Sequence, residues 1–147
     1  MVSNRNKILD FRFIVEIDGL TVGGFSEVGG FQESIEIEEY KEGGNHFIHK
    51  LPKGIQQSTL SLKSGMSEED ALWRWFLECK NAILYKKSIK KRNISIIIYN
   101  EQNYIQTRFN FENAYPIKWS GATLNATGHA VAIEELEIAH EGMKRIS

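Results

Sequence analysis

Apolar and polar residues alternate through much of this chain, which is the pattern of strands that bury one face. From Phe11 to Asp18 the odd positions are apolar, whereas three of the four even positions are charged. The cleanest alternation runs from Ile105 to Glu112. A period of two predicts half-buried β-strands. Strands are predicted over 11–18, 20–29, 32–40, 58–64, 94–100, 104–115 and 129–140.

The last predicted strand changes phase along its length. Ile133 is apolar at an odd position, whereas Leu136 and Ile138 are apolar at even positions. An extra residue in one strand shifts the phase in this way. The pattern therefore predicts a β-bulge at Glu134 and Glu135.

Two shorter strands show the same alternation with small or charged residues on one face. Ile35 and Ile37 in one strand, and Leu60 and Leu62 in the other, are predicted to point inward. Strands of this kind are able to join neighbours edge to edge in a larger barrel with a wet interior, which also protects their edges. An isolated sandwich would give the same pattern, so both arrangements stay open.

One segment has the period of an amphipathic helix. Ser67 is predicted as the N-cap, Glu68 and Glu69 favour the positive helix start, and Asp70 takes the place of a capping-box acid. Apolar residues then recur at intervals of three and four. This stripe consists of Leu72, Trp73, Phe76, Leu77, Cys79 and Ile83. The chain is therefore predicted to be β-rich with one packed helix.

The length of 147 residues predicts a single domain over 1–147, with a polar and flexible start at 1–10. Hydrophobic content of 41% and charged content of 25% are ordinary for a globular protein, and a net charge of −1 gives no reason to expect a polyanion binder. The chain opens with no signal-peptide pattern, and no apolar run approaches about 18 residues. Synthesis in a cytosol-like compartment, followed by non-secretory release, is expected.

Candidate chemistry is sparse. His46 and His49 lie three residues apart, but a metal site would need further ligands, and only Glu42 lies near them in sequence. Cys79 is the only cysteine, and its place on the apolar stripe favours a buried and inert thiol. The glycine pairs lack the order of a nucleotide-binding loop. No catalytic, metal or cofactor site is predicted, and an enzyme is not expected.

Two blocks of charge lie apart in the sequence. Residues 27–42 carry six glutamates against one lysine, and residues 86–92 carry five positive charges and no negative one. Both blocks fit ordinary solvated faces. They also fit an acidic-to-basic contact between copies, which repeats around a closed ring and sets its register. A nucleic-acid role for 86–92 is weak, because the run is short and lacks interleaved aromatic residues.

Several segments, taken in order, resemble the inner-tube protein of contractile phage tails and extracellular contractile injection systems. They are FRFIVEIDGLTVGGFSEVGGF at 11–31, LPKG at 51–54, the Trp73 and Trp75 pair, Asn113, Ala114 and Pro116, and AIEELEIAHEG at 132–142. The resemblance covers nearly the whole chain and is weakest over 86–104.

The resemblance implies a mainly β fold with one α-helix: an antiparallel β-sandwich or barrel whose strands join a larger ring-shaped β-barrel on hexamerisation. Hexameric rings would stack into a hollow tube, with the helix on its outside. The implied partners are further copies of the chain, a contractile sheath, baseplate and terminator or cap proteins, protein toxin or DNA in the lumen, and a target membrane. Assembly in the cytoplasm and action in a phage tail or released particle are implied too.

By this analogy the 41–54 loop is the candidate contact with the next ring or the neighbouring subunit, and the glycine-rich first hairpin would allow close approach at subunit seams. The candidate interface residues are Glu36, Glu38, Glu39, Gly43, Gly44, His46, His49, Lys53, Lys86, Lys87, Lys90 and Lys91. A type VI secretion tube protein is the alternative within this class. A monomeric β-barrel that carries a small ligand in an apolar interior pocket is the alternative outside it.

Overall fold

The computed structural model describes residues 12–20, 24–44, 46–66, 70–121, 126–128 and 132–146. Within them lie nine strands and one helix: β1 (Arg12–Ile17), β2 (Glu27–Gly29), β3 (Glu33–Lys41), β4 (Ile48–Gln57), β5 (Leu60–Gly65), α1 (Ala71–Leu84), β6 (Arg92–Tyr99), β7 (Ile105–Ser120), β8 (Ile133–Ala139) and β9 (Met143–Ile146). The predicted flexible start at 1–10, the cap at Ser67 and the acids at 68 and 69 lie outside the described residues.

Seven strands form one antiparallel sheet in the order β1-β6-β7-β8-β5-β2, with β9 also paired to β7. The 16-residue strand β7 joins two halves of this sheet. Its first part pairs with β6 and β9, and its last part, from Tyr115 to Ser120, pairs with β8. The prediction of a mainly antiparallel β fold with one helix is confirmed.

A bend in β7 occurs at Asn113, whose φ of 51° lies in the left-handed region. Before the bend the buried residues occupy odd positions, as at Thr107 and Phe111; after it they occupy even positions, as at Ala114 and Pro116. The register between β6 and β7 also shifts at this point. An extra residue in one strand produces both effects.

The bulge predicted at Glu134 and Glu135 is wrong. Strand β8 pairs with β5 in continuous register, and its buried positions are all even, including Glu134. The apparent phase change arises because a glutamate occupies a core-facing position. The irregularity next to β8 lies on β7 instead, between Pro116 and Lys118.

The core lies between the inner faces of the sheet and α1. It is built from Ile17, Leu60, Leu62, Leu72, Trp75, Cys79, Ile94, Ile96, Phe111, Ala114, Leu136 and Ile138. Leu60 and Leu62 are fully buried, as predicted. The predicted helical stripe is wrong at one end, because Ile83 is 64% exposed, whereas Trp75 was missed and is buried.

The N-terminal end of α1 also differs from the prediction. Asp70 is the N-cap residue, but its side chain makes no capping hydrogen bond. Its carboxylate instead pairs with Arg74 Nε at 2.7 Å, one helical turn away. The capping-box role predicted for Asp70 is therefore wrong.

The segment 41–54, predicted as a polar loop, is mostly strand. Lys41 pairs with Ile48, so the connection spans only residues 42–47, and β4 then runs antiparallel to β3 as far as Gln57. Together β3 and β4 form a two-stranded sheet separate from the seven-stranded one. Pro52 and Gly54 in β4 obscured its pattern, and a bulge opposite Glu36 and Ile37 shifts its phase. The short strand β9 was also missed.

Candidate assembly surfaces

The hairpin formed by β3 and β4 stands exposed along its whole length. Ile35 and Ile55 face each other across it and are 67% and 74% exposed, and Ile37 is 46% exposed. The prediction that Ile35 and Ile37 point inward is therefore wrong for the single chain, because β3 pairs only with β4. A two-stranded sheet of this kind is marginally stable in water unless another surface covers it.

The root of this hairpin is fixed to the body of the protein. The ring of Phe31 packs edge-on against Phe109 and Phe111, with centroids 5.0 and 5.9 Å apart. The backbone N–H of Met143 donates to Glu33 Oε1 at 3.3 Å. The hairpin is thus anchored at one end, and its apolar face projects from a defined position.

Five of the six glutamates of the acidic block lie on the hairpin, and the sixth, Glu27, lies on β2. Glu27 pairs with Lys63 at 2.8 Å, and Glu36 lies 3.9 Å from Lys53. Within the described residues no ion pair involves Glu38, Glu39 or Glu42, which are all exposed. Three carboxylates on the outer half of the hairpin thus have no ion-pair partner among the described residues, and Lys50 lies directly opposite Glu39 in the strand register.

The end of the hairpin holds the remaining candidates from 43 to 49. Gly43 and Gly44 form the turn, and Gly44 has a φ of 84°, where glycine carries no Cβ penalty. His49 lies beside Tyr40 across the strands, with ring centroids 6.3 Å apart, and His46 is exposed. In the part of the chain that the structure describes, no three His, Cys, Asp or Glu side chains are grouped to hold a metal ion.

The basic block from 86 to 92 divides into two parts. Lys91 Nζ donates to Glu141 Oε1 at 2.9 Å, a contact that raises the pKa of this lysine. Arg92 is buried, donates from Nη1 to the carbonyl of Asp18 at 2.7 Å, and lies 3.6 Å from Glu78. Lys91 and Arg92 therefore stabilise contacts within the chain.

The other three cations of this block are exposed. Across the described ranges, no ion pair is formed by Lys86, Lys87 or Lys90. In the sequence all five cations form one block. In the structure three of them have no ion-pair partner among the described residues.

An apolar groove, which the sequence did not reveal, lies between the end of α1 and β7, with a volume of about 280 Å³. Its walls include Phe76, Ile83, Leu84, Ile89, Tyr115 and Ile117. Ile83 and Leu84 are each 64% exposed, so this apolar surface meets solvent. The signal in the sequence was the apolar pair at 83 and 84, which Tyr85 alone separates from the basic run.

Cys79 lines the floor of this apolar groove and is 3% exposed. Burial, followed by the charge of Glu78, raises the pKa of its thiol, while Arg92 opposes the shift. A raised thiol pKa lowers the fraction of reactive thiolate. The prediction of a buried thiol is confirmed.

Residues 9–144 match a protein family described as T4-like virus tail tube protein gp19. Because this match covers most of the chain, the protein belongs to that family. It is a tail tube protein, as the resemblance of its sequence segments indicated. A search of curated proteins finds no match.

Solved structures share the fold. A chain from the PVC extracellular contractile injection system, in its extended sheath–tube complex, is 23% identical with a TM-score of 0.78 over 92% of this chain and 88% of that one. A chain from the anti-feeding prophage baseplate is 22% identical, with a TM-score of 0.77 over 92% and 91%. A type six secretion system protein is 12% identical, with a TM-score of 0.64 over 92% and 83%. At these identities the likeness shows the tube fold.

Among the described residues no helix is long and apolar enough to cross a membrane.

Proposed function

We propose that the protein is a structural subunit of the inner tube of a contractile injection system or contractile phage tail. It assembles into hexameric rings that stack into a hollow conduit for protein toxin or DNA. Membership of the tail tube family supports this proposal, as do fold relatives from sheath–tube, baseplate and tube-cap complexes. The proposed partners are a contractile sheath, a baseplate, terminator or cap proteins, and the target membrane that the tube crosses.

The exposed hairpin carries this proposal. Three of its aliphatic side chains, Ile35, Ile48 and Ile55, lie on one face and are at least half exposed. Burying apolar surface yields about 25 cal/mol per Å², so a neighbouring copy that covers these side chains stabilises the assembly. Because the uncovered surface belongs to a two-stranded sheet, the same contact also supports the hairpin itself.

The proposed interface contains the candidate residues predicted from the sequence. Their exposure and their ion pairs within the chain support some of them more than others. Glu38 and Glu39 on the hairpin, and Lys86, Lys87 and Lys90 on the basic block, are exposed without ion pairs among the described residues. Gly43, Gly44, His46 and His49 lie at or near the hairpin turn. Glu36, Lys53 and Lys91 already have partners within the chain, which weakens their support.

The two alternatives receive less support. A type VI secretion tube protein shares the fold, but the family match is to tail tubes, and the type six relative has the lower TM-score. A ligand-carrying barrel would need an apolar interior pocket. The inner faces of the described strands are filled instead by fully buried side chains such as Leu60, Phe111 and Ile138.

We assign the protein no catalytic role, because its family consists of tail tube proteins. In this account the chain is made and assembled in the cytoplasm. It then acts within a phage tail or a released injection particle.

Sedimentation velocity of the purified protein tests the proposal. Wild-type protein is expected to form hexamers and larger species, whereas the double variant Ile35→Ser with Ile55→Ser stays monomeric. At concentrations where both proteins are monomeric, they should unfold at the same urea concentration, since both side chains are exposed. Ile14→Ser is the matched control, because Ile14 is 49% exposed on β1, away from the hairpin. Assembly of the double variant at wild-type concentrations would remove the hairpin from the interface.

A further inference from the structure

We propose that the apolar groove beside α1 is the receptor for the β3–β4 hairpin of a second copy of this chain. The inference rests on the proposed function and deepens it, because it names the surface that covers the hairpin. Two independent features of the described residues support it: matching apolar surfaces and matching charges.

The apolar surfaces match in kind and availability. The hairpin presents Ile35 and Ile55 as a cross-strand pair, and the groove presents Ile83 and Leu84 on its rim. All four side chains are at least 64% exposed in the single chain. Apolar side chains exposed at this level in contiguous patches mark interaction surfaces.

The net charges around the two surfaces are opposite. Lys80 lines the groove, and Lys86, Lys87 and Lys90 lie in the segment around Ile89 on its wall. The hairpin, residues 33–57, carries five glutamates and three lysines and so has a net charge of −2; Glu38, Glu39 and Glu42 lie on its outer half. All seven side chains are exposed, and within the described ranges none of them forms an ion pair. An apolar centre with complementary charge at its edge is the usual anatomy of a specific interface.

The two surfaces are different parts of the same chain, and this has a geometric consequence. When a hairpin from one copy enters the groove of the next, the second copy still offers a free hairpin and the first a free groove. Such a heterologous contact repeats from copy to copy, giving a closed ring or an open helical stack. The proposed contact therefore generates the type of assembly that a tube requires.

Zero-length carbodiimide cross-linking of assembled protein tests the contact directly. Light chains and ¹⁵N-labelled chains are mixed before assembly, so that a cross-linked peptide with one light and one heavy half must join two copies. Mixed-label links are expected from Glu38, Glu39 or Glu42 to Lys80, Lys86, Lys87 or Lys90. Assembled tubes whose hairpin carboxylates link between copies only to other lysines would overturn the proposal.

A variant series gives a second, independent readout. Replacing Ile83 and Leu84 by serine is expected to raise the concentration needed for assembly about tenfold or more, because it removes apolar contact area from the groove. Ile14→Ser is again the control and should leave that concentration unchanged. An unchanged assembly concentration in the groove variant would refute the groove as receptor while leaving the tube proposal intact. A wild-type chain that never assembles would refute both.

Discussion

Asn113 Nδ2 donates a hydrogen bond to Glu141 Oε2 at 2.7 Å, which links the bend of β7 to the turn between β8 and β9. The other oxygen of the same carboxylate accepts from Lys91 Nζ at 2.9 Å. The backbone N–H of Glu141 donates to the carbonyl of Glu112 at 2.8 Å, beside the bend. One exposed carboxylate thus joins three segments of the fold.

The first prediction concerns the pH dependence of this contact. The hydrogen bond from Lys91, then that from Asn113 and the charge of Lys91, lower the pKa of Glu141 below 4.5. A lowered carboxyl pKa in the folded state contributes stability that is present above the unfolded pKa and lost as pH falls through the folded value. Glu141→Gln should therefore be less stable than wild type at pH 7, and the difference should shrink as the pH falls below 4.5.

Urea unfolding of both proteins over this pH range measures the difference. Glu101→Gln is the control, because Glu101 is exposed in the turn between β6 and β7 and forms no ion pair among the described residues. A wild-type-to-variant difference that stays constant with pH would show that the charge of Glu141 does not stabilise the fold.

The second prediction separates two adjacent glycines. Gly30 has a φ of 91°, and an added Cβ would collide with the carbonyl oxygen of Thr59, whereas a Cβ on Gly29 would meet nothing within 4 Å. Gly30→Ala should cost about 2–4 kcal/mol of unfolding free energy, and Gly29→Ala should be neutral or stabilising by up to about 1 kcal/mol. Urea unfolding of the two variants checks the pair. Equal losses would contradict the assigned backbone contact.

The third prediction concerns the glutamate on the core face of β8. Trp119 Nε1 donates to Glu134 Oε2 at 3.0 Å, and Glu134 is only 7% exposed. Glu134→Ala leaves the indole N–H without its partner and should cost about 1–3 kcal/mol. Glu134→Gln keeps an acceptor oxygen and should cost less.

Chemical denaturation gives these free energies, with Glu137→Ala as the comparison, since Glu137 lies on the opposite face of β8. If Glu137→Ala were as damaging as Glu134→Ala, the hydrogen bond would not be the source of the loss.

The fourth prediction tests the acidic-to-basic contact between copies by charge reversal. Glu36→Lys with Glu38→Lys should raise the concentration needed for assembly, and more so at low salt, because exposed charges are screened as ionic strength rises. Adding Lys86→Glu and Lys87→Glu should restore assembly, since rescue by a second reversal requires direct coupling. Light scattering follows assembly in each variant. Normal assembly of the first variant would remove these glutamates from the interface.

Local patterns predicted the body of the fold because its strands bury one face within the chain. The alternation that places Leu60 and Leu62 in the core identified β5, and the helical period identified α1. The same alternation misled at Ile35 and Ile37, because the surface that would cover them is absent from the single chain. Alternation in a sequence indicates that one face of a strand is buried. It does not indicate whether the covering surface belongs to the same chain or to another one.

Two other failures have local physical causes. Glu134 interrupts the apolar alternation of β8, because its hydrogen bond with Trp119 allows a polar residue on the core face. The bend of β7 was not predicted, because the residue type at position 113 does not by itself reveal the positive φ that Asn113 adopts. The apolar groove was missed because its walls come from α1, the segment at Ile89 and β7, which are distant in sequence.

The role predicted for the glycines of the first hairpin holds for only some of them. Close approach at subunit seams was predicted for the first glycine-rich hairpin, but Gly30 meets Thr59 within the same chain. Gly24 and Gly29 have open space around the position of a Cβ, so they remain compatible with a seam.

Negative-stain electron microscopy of the purified wild-type protein, across a range of concentrations and salt, tests the central claim most directly. Six-lobed rings and stacked tubes with a central channel are expected, and their number should grow as the concentration rises. Isolated single-chain particles under every condition would contradict it, because the exposed hairpin would then be stable without a neighbouring copy.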